Sequence, residues 1–130
     1  DEHEAVTEAL RAADMLAGWV EIDDYARYRY IVQIGGNASS WGLVQKLRLG
    51  ACIFFVEGEW TSWFERHIEP WVHYVPVRAD LADFEEKFRW AQANPAEAER
   101  IARDARALGM SLSFEPTMAE AAEAIKSAFA

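Results

Sequence analysis

Tyr28-Arg-Tyr-Ile-Val-Gln-Ile34 runs directly into Gly35-Gly36-Asn37-Ala-Ser39-Ser40-Trp41. The first seven residues are aromatic and β-branched, the composition of a strand, and the paired glycines end it in a tight turn. Ser39 or Ser40 then caps a helix that reaches about Leu49 and stops at Gly50. Strand, glycine turn and helix form one unit, and the chain repeats the alternation. Ala51-Cys-Ile-Phe-Phe-Val56 is apolar throughout, as expected of an interior strand covered on both faces. A short helix is predicted over 61–67, and Trp71-Val-His-Tyr-Val-Pro-Val77 reads as a third strand with Pro76 at an end or an edge. Parallel strands need long crossovers that helices fill, so the predicted class is α/β with a mostly parallel sheet.

The flanks are helical. Residues 7–18 form an opening helix with Ala5, Leu10, Ala13 and Ala17 near helical spacing and Gly18 as its stop. Asp80 is predicted to cap a helix whose stripe is Leu81, Phe84, Phe88 and Ala91, with Asp83/Lys87 and Glu85/Arg89 as exposed pairs four apart. Asn94-Pro95-Ala-Glu97 starts another helix that ends at Gly109, and Thr117-Met-Ala-Glu120 is a capping box for a last one ending near Phe129. We expect a single domain over 1–130: a leading helix and linker at 1–27, the strand and helix region at 28–80, and helices at 81–130.

Bulk properties narrow the partners. A net charge of -9 opposes a nucleic-acid groove or an anionic membrane surface, because such contacts begin with like-charge repulsion. No apolar stretch approaches a bilayer span, and the acidic opening residues do not resemble a secretory signal. The one cysteine, Cys52, lies in the apolar run and reads as a buried hydrophobe. His3, His67 and His73 have no zinc-ligand spacing, so no metal site is expected, and His73 reads as a structural histidine within the third strand, on the face of Val75 and Val77.

In parallel α/β sheets ligands bind beyond the carboxyl ends of the strands, so residues 35–41, 57–62 and 78–80 should share one rim. Gly36, Asn37, Ser39, Ser40 and Trp41 have the parts of an anion-binding turn: glycines for close backbone approach, hydroxyls, and free amides. Lys46, in the following helix, is placed to lean back and supply the positive charge that this turn lacks. Glu59 is the carboxylate preferred for recognising ribose hydroxyls, while Trp63 and Phe64 read as core. Glycine turns before capped helices are common, so the same residues also fit a purely structural turn with a surface lysine.

Tyr28-Arg-Tyr-Ile-Val-Gln-Ile-Gly-Gly-Asn37, Ser39-Ser-Trp41, Lys46-Leu47 and Pro70-Trp-Val-His-Tyr-Val-Pro-Val77 followed by Asp80-Leu81 together resemble the carboxyl-terminal part of family 90 glycosyltransferases, over about residues 28–108. That family includes bacterial enzymes that modify capsule and lipopolysaccharide and the protein O-glucosyltransferases of the eukaryotic secretory pathway. The resemblance implies a GT-B architecture of two Rossmann-like, three-layer halves, of which this one, the carboxyl-terminal half, holds a nucleotide sugar, typically UDP-linked, without an essential metal or other cofactor. Eukaryotic members carry arginines where Gly35 and Gly42 stand here, so the chain looks closer to the bacterial branch, with Lys46 replacing the missing charge. Cytoplasmic residence, peripheral to the inner membrane, is the corresponding expectation. In the family the acceptor-binding half and the general base precede the matched segment, and 27 residues before Tyr28 are too few to encode them. No catalytic residue is therefore assigned, and the glycan or protein acceptor is expected to be met through an amino-terminal half. Two other readings stay open: a non-catalytic α/β module that binds a nucleotide sugar or a protein, and an unrelated flavodoxin-like domain.

Overall fold

The computed structural model describes residues 2–35, 42–59 and 61–129. Its centre is a three-stranded parallel sheet of β1 (Tyr30–Gln33), β2 (Cys52–Val56) and β3 (Val75–Val77), in that spatial order. Tyr30 pairs with Cys52 and Gln33 with Phe55, while Phe54 pairs with Val75 and Val56 with Val77. The helices are α1 (Glu2–Ala12), α2 (Leu43–Arg48), α3 (Phe84–Ala93), α4 (Pro95–Ser111) and α5 (Phe114–Ala128), with 3-10 turns at Ile22–Arg27 and Trp63–His67. The fold is α/β, a Rossmann-like fragment with a helical carboxyl-terminal third.

The strand β2 explains the layering. Alternate side chains of a strand face opposite ways. Cys52, Phe54 and Val56 pack with Val75, Val77 and the α3 and α4 residues Ala91, Ala98 and Ile101. Ile53 faces the other way, into Leu43, Leu47, Phe64, Ile68 and Ala105. The fully buried Phe54 ring sits among Tyr30, Phe84 and Phe88, with centroids 5.6 to 6.0 Å away. Burying one such side chain stabilises the fold by about 1.5–3 kcal/mol, and its edge-on ring contacts add roughly 0.5–1.5 kcal/mol. Cys52 is buried as predicted, and desolvation pushes its thiol up to about 11.

Several boundaries differ from the sequence reading. The opening helix ends at Ala12, with Asp14 at φ 54°, rather than at Gly18. Segment 71–73 is a turn closed by a Pro70–Tyr74 bridge, so His73 precedes the third strand instead of lying within it. Its Nδ1 accepts a hydrogen bond from the Glu69 amide at 3.0 Å, which is a structural role. Trp71 has a φ of 65°, held by an edge-on contact with Trp90 at 4.9 Å and by Arg100 Nη2 donating to its carbonyl at 2.8 Å. Trp63 is half-exposed rather than core, while Phe64 is buried.

Asp80 does not cap α3. Its carboxylate accepts from Arg78 and from the Ala82 amide, Leu81 takes φ 60° and stays exposed, and the helix starts after Asp83. The Asp83–Lys87 pair, at 2.5 Å, is mostly shielded where an exposed pair was expected. Lys87 also donates to the Pro76 carbonyl of β3, an outer strand of the described sheet. Asn94 precedes α4 as expected, but its side chain donates to the Trp90 carbonyl and so closes α3.

The last helix begins after Ser113 rather than at Thr117. It turns Thr117 and Glu120 toward the body, where Glu120 meets Arg66 and His67 of the second 3-10 turn. Its apolar side chains point the other way: Phe114 is 77% exposed, Met118 51%, Ile125 60% and Phe129 89%.

Gly109 does not stop α4, which continues to Ser111. A Cβ there would lie 2.9 Å from Leu47 Cβ and 3.1 Å from the Arg48 amide nitrogen, so the glycine lets α2 and α4 touch backbone to backbone. Arg48 Nε donates to the Gly109 carbonyl at 2.8 Å and Nη2 to the Leu112 carbonyl at 2.7 Å, capping α4 from α2. Alanine gains about 1 kcal/mol in helix propensity, but this overpacking costs about 1–3 kcal/mol because neither Leu47 nor the backbone can give way. Gly109→Ala is expected to lower unfolding stability by up to roughly 2 kcal/mol in urea, whereas Gly58→Ala, where nothing lies within 4 Å of the new carbon, changes it little.

Candidate functional site

Lys46 and Gln33 meet beyond the carboxyl end of β1. In β1, Ile31 and Gln33 point to the buried side and Val32 to the exposed one. Gln33 is therefore a fully buried amide in an otherwise apolar strand. The phase of α2 is set by the burial of Leu43 and Leu47, and that phase carries Lys46 over the strand end. Lys46 Nζ donates to Gln33 Oε1 at 2.7 Å, and Gln33 Nε2 donates to the Ile34 carbonyl at 3.2 Å. The Lys46 ammonium also lies 5.7 Å from the centre of the Tyr25 ring.

Among the described residues, Lys46 makes no ion pair within 4.0 Å. Its side-chain acceptor is a neutral amide, which orients the ammonium without cancelling its charge. Burial lowers its pKa from the ordinary 10.5. This is the electrostatic arrangement that favours an added anion, since a counter-charge would relieve the desolvation.

The rest of the rim behaves differently. The Glu57 amide donates to the Val77 carbonyl at 2.8 Å, joining the end of β2 to β3, and Glu57, Arg78, Ala79 and Asp80 line one shallow recess. Two of the three predicted rim segments therefore share an edge. Arg78 is bound by Asp80 through contacts of 3.0 and 2.6 Å, so its charge is already matched. That hydrogen bond holds the Asp80 carboxyl below its usual range. Glu59 is exposed in a bend just past β2. Tyr74 packs edge-on against Phe55 at 5.2 Å, and its hydroxyl pKa is raised by burial and then by Glu57 and Glu65.

Of the residues expected to form the anion turn, Gly36, Asn37, Ser39, Ser40 and Trp41 lie outside the described residues. Lys46 is described, and it lies at the end of β1. The sequence reading passed over Gln33 and Tyr25. Gln33 had a visible mark: a lone polar residue at inward parity in Ile31-Val-Gln-Ile34. Tyr25 had none, because it reaches Lys46 from a 3-10 turn preceding the strand.

An open groove of about 770 Å³ adjoins Lys46, between residues 17–25 and α2. Among the described residues no group of three His, Cys, Asp or Glu side chains is placed to hold a metal, and no helix is long and apolar enough to cross a membrane.

Lys46→Met leaves the buried Gln33 oxygen without its donor, and such a loss costs about 1–3 kcal/mol. We expect Lys46→Met to lower stability by about 1–2 kcal/mol. Gln33→Leu together with Lys46→Met should cost less than the sum of the single changes by at least roughly 0.5 kcal/mol in a denaturation cycle; strict additivity would mean that the pair does not interact.

Comparison with known proteins gives this geometry a family. A model described as glycosyl transferase family 90 matches residues 7–112, which takes in the whole sheet, α2 and Lys46 and ends before α5. Protein O-glucosyltransferase 1 of Homo sapiens is 34% identical over 83 residues, 64% of this chain and 21% of that protein. The Rattus norvegicus protein of the same name is 34% identical over 84 residues, 65% of this chain and 21% of its own length. Uncharacterized protein 179R of Invertebrate iridescent virus 6 is 32% identical over 90 residues, 64% of this chain and 8% of its own length. The chain thus spans about a fifth or less of these relatives. With the match covering most of its length, this chain belongs to glycosyl transferase family 90.

Proposed function

We propose that the chain is the donor-binding portion of a glycosyltransferase and holds a nucleotide sugar, UDP-linked, at the carboxyl ends of its strands. The observation that carries this reading is Lys46: a half-buried cation at the end of β1 whose side-chain hydrogen bond goes to an amide. In this reading the backbone amides of Gly36 and Asn37 and the hydroxyls of Ser39 and Ser40, with Trp41 beside them, hold the diphosphate together with Lys46. Glu59 takes a ribose or sugar hydroxyl. When the glycosidic bond breaks, negative charge grows on the departing diphosphate, and in this reading the amides and the ammonium stabilise it. No bound metal is required of such a site, because Lys46 and the amides supply the positive potential.

The acceptor, a glycan or a protein, reaches the donor through an amino-terminal half, and the base that activates it belongs there. In this reading the chain stands with the bacterial members that act on capsule or lipopolysaccharide, which the glycines at positions 35 and 42 support. One observation favours a second reading, a protein-binding module: the apolar side chains of α5 are turned to solvent.

Calorimetric titration of UDP and UDP-glucose tests the proposal. Saturable binding is expected, weakened at least roughly 10-fold by Lys46→Met, since a charge-assisted contact is worth about 1.5–3 kcal/mol. Absence of binding at millimolar ligand would reject the donor site and leave the module reading. The pH dependence has a definite sign. Lys46 loses its proton at a lower pH than an ordinary lysine, so affinity should fall as pH rises through that lowered value, before 10.5 is reached. Affinity unchanged up to pH 10.5 would mean that the ammonium does not contact the ligand.

A further inference from the structure

We propose that the groove between residues 17–25 and α2 receives the nucleoside part of the donor, its base stacked on Trp19, while the phosphates reach Lys46. The inference rests on the donor-site reading above and adds where the base lies. Trp19, Ile22 and Tyr25 form one wall, and Gln45 and Lys46 belong to the other. At about 770 Å³ the groove is in the range that small-molecule sites occupy. Its chemistry is graded: aromatic and aliphatic along the leading segment, cationic where Lys46 stands. A flat ring joined to an anion fits that gradient, and a nucleoside phosphate is such a ligand.

Trp19 is 89% exposed, so its ring does not serve the core. It is nevertheless oriented, because its indole Nε1 donates to Glu21 Oε1 at 2.8 Å. A large aromatic surface held in place beside a groove and left bare to water is a stacking platform; stacking one base on such a ring is worth about 1–3 kcal/mol. Glu21, also on the groove, would repel a phosphate but accept hydrogen bonds from base or ribose, which sets the direction of the ligand: phosphate toward Lys46, nucleoside toward Trp19. Tyr25 connects the two ends, since its ring lies against the Lys46 ammonium.

Trp19→Ala gives the decisive test, because an exposed ring can be removed without opening the core. UDP and inorganic pyrophosphate are titrated into the wild-type chain, Trp19→Ala and Lys46→Met. The proposal expects Trp19→Ala to weaken UDP roughly 10-fold and to leave pyrophosphate unchanged, while Lys46→Met weakens both. UDP affinity equal in wild type and Trp19→Ala, with Lys46→Met still weakening it, overturns the groove assignment and leaves the donor site standing. A Trp19→Ala loss seen for UDP-glucose but not for UDP would put the sugar in the groove and also overturn it. No binding of UDP or pyrophosphate to the wild-type chain removes both proposals together.

Discussion

The contact between α2 and α4 at Gly109 governs much of the arrangement. With no side chain at position 109, Leu47 can sit against the α4 backbone, and Arg48 can close the end of α4 through two carbonyls. That fixes the rotation of α2 about its own axis. Leu43 and Leu47 then fill the space over Ile53, and Lys46, one residue before Leu47, is delivered to Gln33. A polar contact at the rim is thus determined by the shape of an apolar contact behind it.

The sheet was legible because its signals are local. Residues 51–56 are apolar on both parities, which only a doubly covered strand requires, and Gly50 at φ 76° ends the preceding helix as expected. The misreadings arose where tertiary contacts outvoted local chemistry. Gly109 resembles a helix stop and is instead a packing position. Asp80 resembles a cap, but Arg78, two residues earlier, claims its carboxylate in a bidentate contact. Thr117 and Glu120 have capping-box spacing, yet Glu120 is drawn to Arg66 and His67, more than fifty residues away in sequence. Pro70 to Val77, which carries much of the family resemblance, is mostly a structural clamp: Trp71 is locked by Trp90 and Arg100, and Tyr74 by Phe55.

The candidate site was partly legible. The positions of Lys46 and Glu59 beyond the strand ends were legible, since chain direction decides which rim a segment joins. The partners of Lys46 were harder to see because they reach its helix from two other segments, a 3-10 turn and a strand. The distinction between the two rim cations could not be read from sequence either. Arg78 and Lys46 both follow strands, but one is matched by a carboxylate and the other by an amide, and only the second keeps an unspent charge. Exposed pairs such as Arg78–Asp80 contribute little to stability, so their main effect here is to leave Lys46 as the distinctive cation of the rim.

The Lys46 ammonium sits in a chain of net charge -9, and the two act over different distances. An approaching anion first meets the long-range repulsion of the whole molecule, which salt screens over about 8–10 Å. Only at contact does it meet the half-buried ammonium, whose pull is screened far less. The kinetics of encounter and of residence should therefore respond differently to the solvent: added salt speeds arrival while changing departure little. This is the reverse of a polybasic surface, which captures anions fastest in dilute buffer and loses them as ionic strength rises.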